Sequence, residues 1–314
     1  MPAALARTSP ARPSGRSASP AASSRPSRWK RSELNLQASD PAPGASNAGR
    51  PIGVFDSGIG GLSVLRALRA ELPNERFVYF ADTAHAPYGE RNEGHVIART
   101  RAVSADLSAR HAIKALVVAC NTATAAAIHL LRAEHPGVAV VGVEPALKPA
   151  VAASRTRRIA VLATRATLAS TKFGTLHAAL AEDAQFTLVP CDGLARAIEA
   201  DDRAQIAALC ARYVGEAGIF GTDDGQVDTL VLGCTHYPFA ADELRRHTGA
   251  SVRLLDTGVP VALQTRRLLA SSGLLAERRA AEDDGLLLES SGDVRPLQSA
   301  ARRWLASADA VVGA

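Results

Sequence analysis

Two cysteines in this chain stand where a short apolar run gives way to small polar residues. The segments are Ala115-Leu-Val-Val-Ala-Cys120-Asn121-Thr122 and Thr229-Leu-Val-Leu-Gly-Cys234-Thr235-His236. Such Val and Leu runs read as buried strands, so each thiol falls at a strand's carboxyl end, the edge where open α/β sheets bind ligands. A thiolate is a base and a nucleophile. An adjacent imidazole can lower a thiol pKa from about 8.5 or carry its proton, which makes His236 the natural partner of Cys234. Asp56, at the end of another apolar run, can hold the matching position near Cys120. Cys191 and Cys210 read instead as small core residues, one following a strand and Pro190, the other on a helix with Leu209.

Two further polar loops follow strands. In Asp56-Ser57-Gly58-Ile59-Gly60-Gly61, glycines let backbone donors approach a ligand, and the helix that begins next favours an anion. The order Gly58-x-Gly60-x-x-Ser63 lacks the third glycine of a dinucleotide fingerprint, and no Lys-Ser or Lys-Thr of a phosphate loop follows, so a small carboxylate fits better than a nucleotide. Asp82-Thr83-Ala84-His85-Ala86-Pro87-Tyr88-Gly89 is the second loop. Its Pro, Gly and Asp are ordinary turn residues. Beside the same sheet edge, however, Tyr88 and the Gly89 amide could reach a substrate carboxylate.

These loops need strands and helices to position them. From Pro51 onward short Val, Ile and Leu runs alternate with longer helical stretches, the pattern of βα units around a parallel sheet. Strands are expected at 52–55, 77–80, 115–118 and 138–143, with helices at 62–72, 94–112 and 123–134. The grammar restarts with a strand at 158–163, a helix at about 170–180, a strand at 186–189, the Cys234 strand and a helix at 240–246. Ile52 and Ile159 lie 107 residues apart and the two cysteines 114, near-equal offsets that argue for internal duplication. The expected architecture is therefore two pseudo-symmetric, doubly wound α/β domains with the active site in the cleft between them. The first would span 51–145 plus 257–314 and the second 146–256.

The chain has 314 residues, of which 47% are hydrophobic and 21% charged, enough to bury sizeable cores. Its formal charge of +5 does not imply nucleic-acid binding. The first fifty residues hold eight Lys and Arg against Glu33 and Asp40, a net of +6, which leaves −1 for the rest. That Ala/Ser/Pro/Arg-rich extension, residues 1–50, is expected to be disordered, because it has too little apolar surface to offset the entropy of ordering. The four cysteines show no paired spacing for a disulfide framework or a zinc site, which fits a reducing cytoplasm. No apolar run approaches the roughly 18 residues that span a bilayer.

Taken together, Val54-Phe-Asp-Ser-Gly-Ile-Gly-Gly-Leu-Ser63, Ala81-Asp-Thr-Ala-His-Ala-Pro-Tyr-Gly89, Val118-Ala-Cys-Asn-Thr-Ala123 and Leu232-Gly-Cys-Thr-His-Tyr-Pro238 closely resemble the motifs of glutamate racemases, in the family's order and spacing. The resemblance runs from about Pro51 to Ala270 and more faintly to the end. It implies a cofactor-independent isomerase that interconverts L- and D-glutamate and supplies D-glutamate for peptidoglycan. It also implies that Cys120 removes the α-proton of the D isomer and Cys234 that of the L isomer. Asp56 and Ser57, Tyr88 and Gly89, Asn121 and Thr122, and Thr235 and His236 match the family's substrate-binding pairs. Asp82, Glu144 and His236 match side chains credited there with assisting proton transfer. No metal or pyridoxal lysine is called for, since Lys114, Lys148 and Lys172 fall outside all four motifs. Family members commonly form homodimers.

Two rival readings remain at this level. A related cysteine-pair racemase or decarboxylase acting on another small carboxylic acid would share the thiols, but not the full Asp-Ser-Gly-x-Gly-Gly and Pro-Tyr-Gly loops. A binding protein is the other, since some glutamate racemases are reported to bind DNA gyrase and the extension is basic. Deleting residues 1–50 would abolish a tail-driven, salt-sensitive interaction and spare racemisation.

Overall fold

A computed structural model describes residues 47–277 and 285–305. The basic extension therefore lies outside the described residues as far as 46, as do parts of the region assigned to the end of the first domain. Two parallel sheets dominate. The first contains β1 (Ile52–Asp56), β2 (Phe77–Ala81), β3 (Ala115–Val118), β4 (Ala139–Gly142) and β9 (Leu286–Ser290), in the order β4-β3-β1-β2-β9. The second contains β5 (Arg158–Ala163), β6 (Gln185–Pro190), β7 (Thr229–Gly233) and β8 (Arg253–Leu255), in the order β6-β5-β7-β8. Read from its other edge, the second sheet runs β8-β7-β5-β6. The order of β1 to β4 is thus repeated strand for strand by β5 to β8, as an internal duplication requires.

In each sheet the chain steps from its first strand to one side and then crosses to the other. The switch points fall between β1 and β3 and between β5 and β7, and ligand crevices of open α/β sheets form at such points. β1, β3 and β7 are buried along their whole length, because helices cover both faces. That is why their sequences are continuous apolar runs and not alternating ones.

Helices α1 (Leu62–Glu71), α10 (Gly258–Ser271) and α11 (Arg295–Leu305) cover one face of the first sheet through Leu62, Leu65, Leu68, Val261, Leu269 and Leu297. Helices α2 (Glu93–His111) and α3 (Asn121–Glu134) cover the other through Val96, Val103, Leu107, Ile128 and Leu131. On the second sheet, α4 (Leu147–Ala153), α5 (Arg165–Ala169) and α6 (Thr171–Ala178) lie on one face. There α7 (Leu194–Glu199), α8 (Arg203–Ala217) and α9 (Ala241–Thr248) lie on the other. The helix expected at about 170–180 is α6, and a short helix that the pattern did not mark, α5, precedes it. Thr164 accepts from Thr167 N at 3.2 Å to cap α5, and Ser170 accepts from Phe173 N at 3.2 Å to start α6.

The edge strand β9 is fastened to the end of α2 by a charged clamp. Arg110 donates to both oxygens of Glu289, at 2.7 and 2.6 Å, and His111 lies 3.2 Å away. Burial opposes the Glu289 charge, but hydrogen bonds from His111 and Arg110 outweigh it and hold the pKa down at about 2. A carboxylate with a depressed pKa contributes stability that is present above its unfolded pKa and is lost as pH falls through the folded one. Glu289→Gln is accordingly expected to remove up to about 3 kcal/mol at pH 7 and to flatten the stability loss between about pH 4.5 and 2, measured by urea melts.

Candidate active site

Cys120 follows β3 and caps α3, and Cys234 follows β7, so the duplicated topology sets the two thiols at equivalent switch points. Both are nearly enclosed, with 5% and 7% of their surface exposed. Around Cys120 the loop after β1 supplies the neighbours. Its thiol lies 3.9 Å from Ser57 Oγ and beside the Asp56 carboxyl. Burial pushes the Cys120 thiol well up, the Asp56 charge adds to that, and the Ala123 N–H at the start of α3 works against both. Asp56 is fully buried and accepts from Gly61 N at 2.7 Å. Burial raises its pKa, partly offset by the positive charge of His236 and by the Gly61 bond.

The Cys234 side holds a three-membered chain. Cys234 Sγ lies 3.7 Å from His236 Nδ1, and His236 Nε2 lies 2.5 Å from Glu199 Oε1 at the end of α7. Burial disfavours the imidazolium, yet the hydrogen bonds with Cys234 and then Glu199 prevail, and the His236 pKa stands well above its ordinary value. Glu199 Oε1 also accepts from Ile59 N at 2.7 Å, so one carboxylate oxygen ties the glycine loop of the first half to the imidazole of the second. Here the glycines are required by close approach. A Cβ on Gly58 would sit 1.8 Å from Glu199 Oε1, and one on Gly60 would sit 2.4 Å from His236 Nδ1.

The remaining residues singled out from the sequence fall into place around these arms. Asn121, 4% exposed, has a buried Nδ2 with no hydrogen-bond partner among the described residues, a donor without an acceptor. Thr122 Oγ1 reaches Thr164 Oγ1 at 3.1 Å, and the Thr235 carbonyl accepts from Ser63 Oγ at 2.9 Å, so both are seams between the halves. A Cβ on Gly89 would meet Thr164 Cγ2 at 2.7 Å, which seats the 82–89 loop against the second half. Tyr88 is buried, and its hydroxyl donates to Asp82 Oδ2 at 2.6 Å, so the hydroxyl is committed within the loop.

Asp82 is itself gripped by Arg99, whose Nε and Nη2 each lie 2.9 Å from its oxygens. Glu144 sits apart from the thiols' partners. It pairs with Lys172 at 2.6 Å with half of its side chain exposed, and shares with Asn121 the wall of a small cavity closed by Thr167 and Phe173. The glutamate at His236 is Glu199, which no motif singles out; Thr164 was likewise unmarked. Cys191 and Cys210 are buried in the second core, as their sequence context implies.

Twin parallel sheets of one strand order, each with a thiol at its switch point, define a two-domain α/β protein with one strand-end cysteine in each domain. Residues 52–265 match the Asp/Glu/Hydantoin racemase family, and the chain belongs to that family. It is 48% identical over 254 residues to the glutamate racemase of Ralstonia pickettii, covering 81% of this chain and 87% of that protein. It is 47% identical over 232 residues to the glutamate racemase of Pseudomonas aeruginosa, covering 73% and 85%. Among solved structures, a glutamate racemase isoform from Bacillus anthracis superposes with a TM-score of 0.71 at 28% identity, over 82% of this chain and 94% of that one. The Escherichia coli glutamate racemase in complex with L-glutamate and the activator UDP-MurNAc-Ala gives 0.69 at 28% identity, over 81% and 95%.

Proposed function

We propose that this chain racemises glutamate by a two-base mechanism without a cofactor and supplies D-glutamate for peptidoglycan. The observation that carries the reading is the pair of enclosed thiols at equivalent strand ends, each with its own proton-handling partners. The substrate comes from the relatives, which are named glutamate racemases across most of their length.

An α-proton beside a carboxylate is only weakly acidic, and inversion through a planar carbanion needs a base on each face, one thiolate and one thiol. Cys120 takes the proton of D-glutamate and Cys234 that of L-glutamate, the opposite thiol returning a proton to the other face. His236, charged and held by Glu199, favours the Cys234 thiolate. Asp56 is the proton-handling neighbour of Cys120. The unpartnered Asn121 amide, with Ser57, Thr122, Thr235 and the Tyr88–Gly89 backbone, offers donors for the substrate carboxylates and for the charge that develops on deprotonation.

We assign 51–145 plus 257–314 to the first domain and 146–256 to the second, with the substrate in the cleft between them. We read the protein as a cytoplasmic homodimer with no nucleic-acid or membrane partner. Four unpaired cysteines support the reducing compartment, and no helix among the described residues is long and apolar enough to cross a membrane.

Incubation of the purified chain with L-glutamate in deuterium oxide, without added cofactor, tests the proposal. Loss of optical rotation with one solvent deuterium entering per inversion is expected; inertness towards glutamate with turnover of another α-acid would overturn the substrate. A second expectation concerns the loop. Gly60→Ala forces a methyl into the His236 ring, which must leave Cys234 or push the loop away. The racemisation rate is expected to fall by about 10²-fold in a protein that still melts cooperatively, since one proton-handling partner is displaced.

A further inference from the structure

Tyr79 sits in the middle of β2, opposite Val54 of β1, and is wholly buried among the aliphatic side chains of the first sheet. A core position of that kind asks only for an apolar residue. A phenol there carries a polar group that must find a partner, and its placement is therefore informative. The Tyr79 hydroxyl donates to the Gly58 carbonyl at 2.7 Å. It also lies close under the loop's end, where a Cβ on Gly61 would come within 2.9 Å of it.

The loop it holds serves both thiols. Gly61 N donates to Asp56, the neighbour of Cys120, and Ile59 N donates to Glu199, the support of His236. The Gly58 carbonyl belongs to the residue just before Ile59, so the bond from Tyr79 fixes the plane of the very peptide whose N–H points at Glu199.

We propose that Tyr79 is a positioning residue for the Cys234 arm: by pinning the Gly58–Ile59 peptide it aims the Ile59 N–H at Glu199 and so keeps His236 turned towards Cys234. The structural part stands on the geometry alone, and the kinetic part rests on the two-thiol reading above. Around His236 the groups to be counted are Cys234 two residues away, Glu199 from α7 and Asp56 from β1. Around the phenol they are Asp56, Glu199 and Cys120, whose negative charges, after burial, keep it neutral and a donor throughout any assay range.

Removing the hydroxyl leaves a buried carbonyl without its donor, and the peptide can turn to seek another. Glu199 then loses its second hydrogen bond and its fixed place, and His236 loses part of what holds its proton. The sign follows: His236 has a raised pKa, so a looser Glu199 moves its titration to lower pH.

The test is Tyr79→Phe, alone and combined with Glu199→Gln, read in the full-length protein by the NMR titration of the His236 imidazole and by α-proton exchange of each glutamate enantiomer. In Tyr79→Phe the imidazole titration is expected to move down by about half a pH unit or more, and exchange from L-glutamate to fall several-fold more than exchange from D-glutamate. Glu199→Gln is expected to give a larger shift, to which Tyr79→Phe adds nothing. An unmoved titration with an unchanged ratio of the two exchange rates, or shifts that add in the double variant, would overturn the proposal. So would a Tyr79→Phe protein that fails to fold beside a folded Glu199→Gln. A wild type that exchanges neither enantiomer would sink the function, while the NMR comparison would still decide the role of Tyr79.

Discussion

Cys120→Ser and Cys234→Ser are each expected to lower racemisation by about 10³-fold or more, yet each to leave one enantiomer able to exchange its α-proton with solvent. The loss follows from the chemistry: a serine hydroxyl is a far weaker acid than a thiol, and a positioned general base or acid contributes about 10²–10⁴-fold. Activity alone cannot say which thiol serves which enantiomer. The two enantiomers have equal free energy in water, so kcat/KM must fall by the same factor in both directions whichever base is removed. The exchange experiment escapes that symmetry. With Cys120 gone, Cys234 can still take the proton of L-glutamate and return a deuteron to the same face, giving exchange with retention. With Cys234 gone, D-glutamate is the enantiomer that should exchange. Proton NMR in deuterium oxide, followed by chiral separation, reads both. Exchange of the same enantiomer in both variants would reverse or dissolve the assignment, and racemisation surviving either serine would remove the thiols from the mechanism.

What the sequence revealed and what it hid divide along a physical line. A parallel strand buried on both faces must be continuously apolar, so β1, β3 and β7 were visible as Val, Ile and Leu runs, and their carboxyl ends delivered Asp56, Cys120 and Cys234. The repeated strand order was foreshadowed by the near-equal offsets of those runs. Glu199 was invisible for the opposite reason. It closes a short helix, α7, with no motif around it, and its meaning comes from Ile59, 140 residues earlier, and from His236. Thr164 has the same character, a helix cap by local sequence and a seam between domains only in three dimensions. Glu144 shows the converse: its neighbourhood in sequence is that of a strand end, while its side chain turns to Lys172. The start of α6 was legible because Ser170 is a capping hydroxyl, whereas the five-residue α5 before it is too short to show a periodicity.

Arg99→Leu is expected to be the most destabilising of the surface-distant substitutions, costing about 3–5 kcal/mol, because it leaves the Asp82 charge buried without its counter-ion. Asp82 has no exposed side-chain surface, and Arg99 holds both of its oxygens while Tyr88 donates to one of them. Burial alone would raise the Asp82 pKa, but the hydrogen bonds from Arg99 and then Tyr88 carry it below the usual carboxylate value. The sign is that of a depressed carboxylate: the stabilisation is present above its unfolded pKa of about 3.9 and is lost as pH falls through the folded one. Thermal melts of Arg99→Leu should therefore differ most from wild type near neutrality and converge in acid. The double variant Asp82→Asn, Arg99→Leu should recover much of the loss, since removing both charges removes the desolvation that neither can then offset. The same pair decides what Asp82 does for turnover. If Asp82, bonded by Arg99, Tyr88 and Ser291, serves turnover by holding Tyr88, it does so through Gly89, which packs on Thr164. Asp82→Asn, which keeps the shape but weakens the grip, should then raise KM for glutamate with little change in kcat. A fall in kcat at constant KM would instead place the Asp82 carboxylate in the proton path itself.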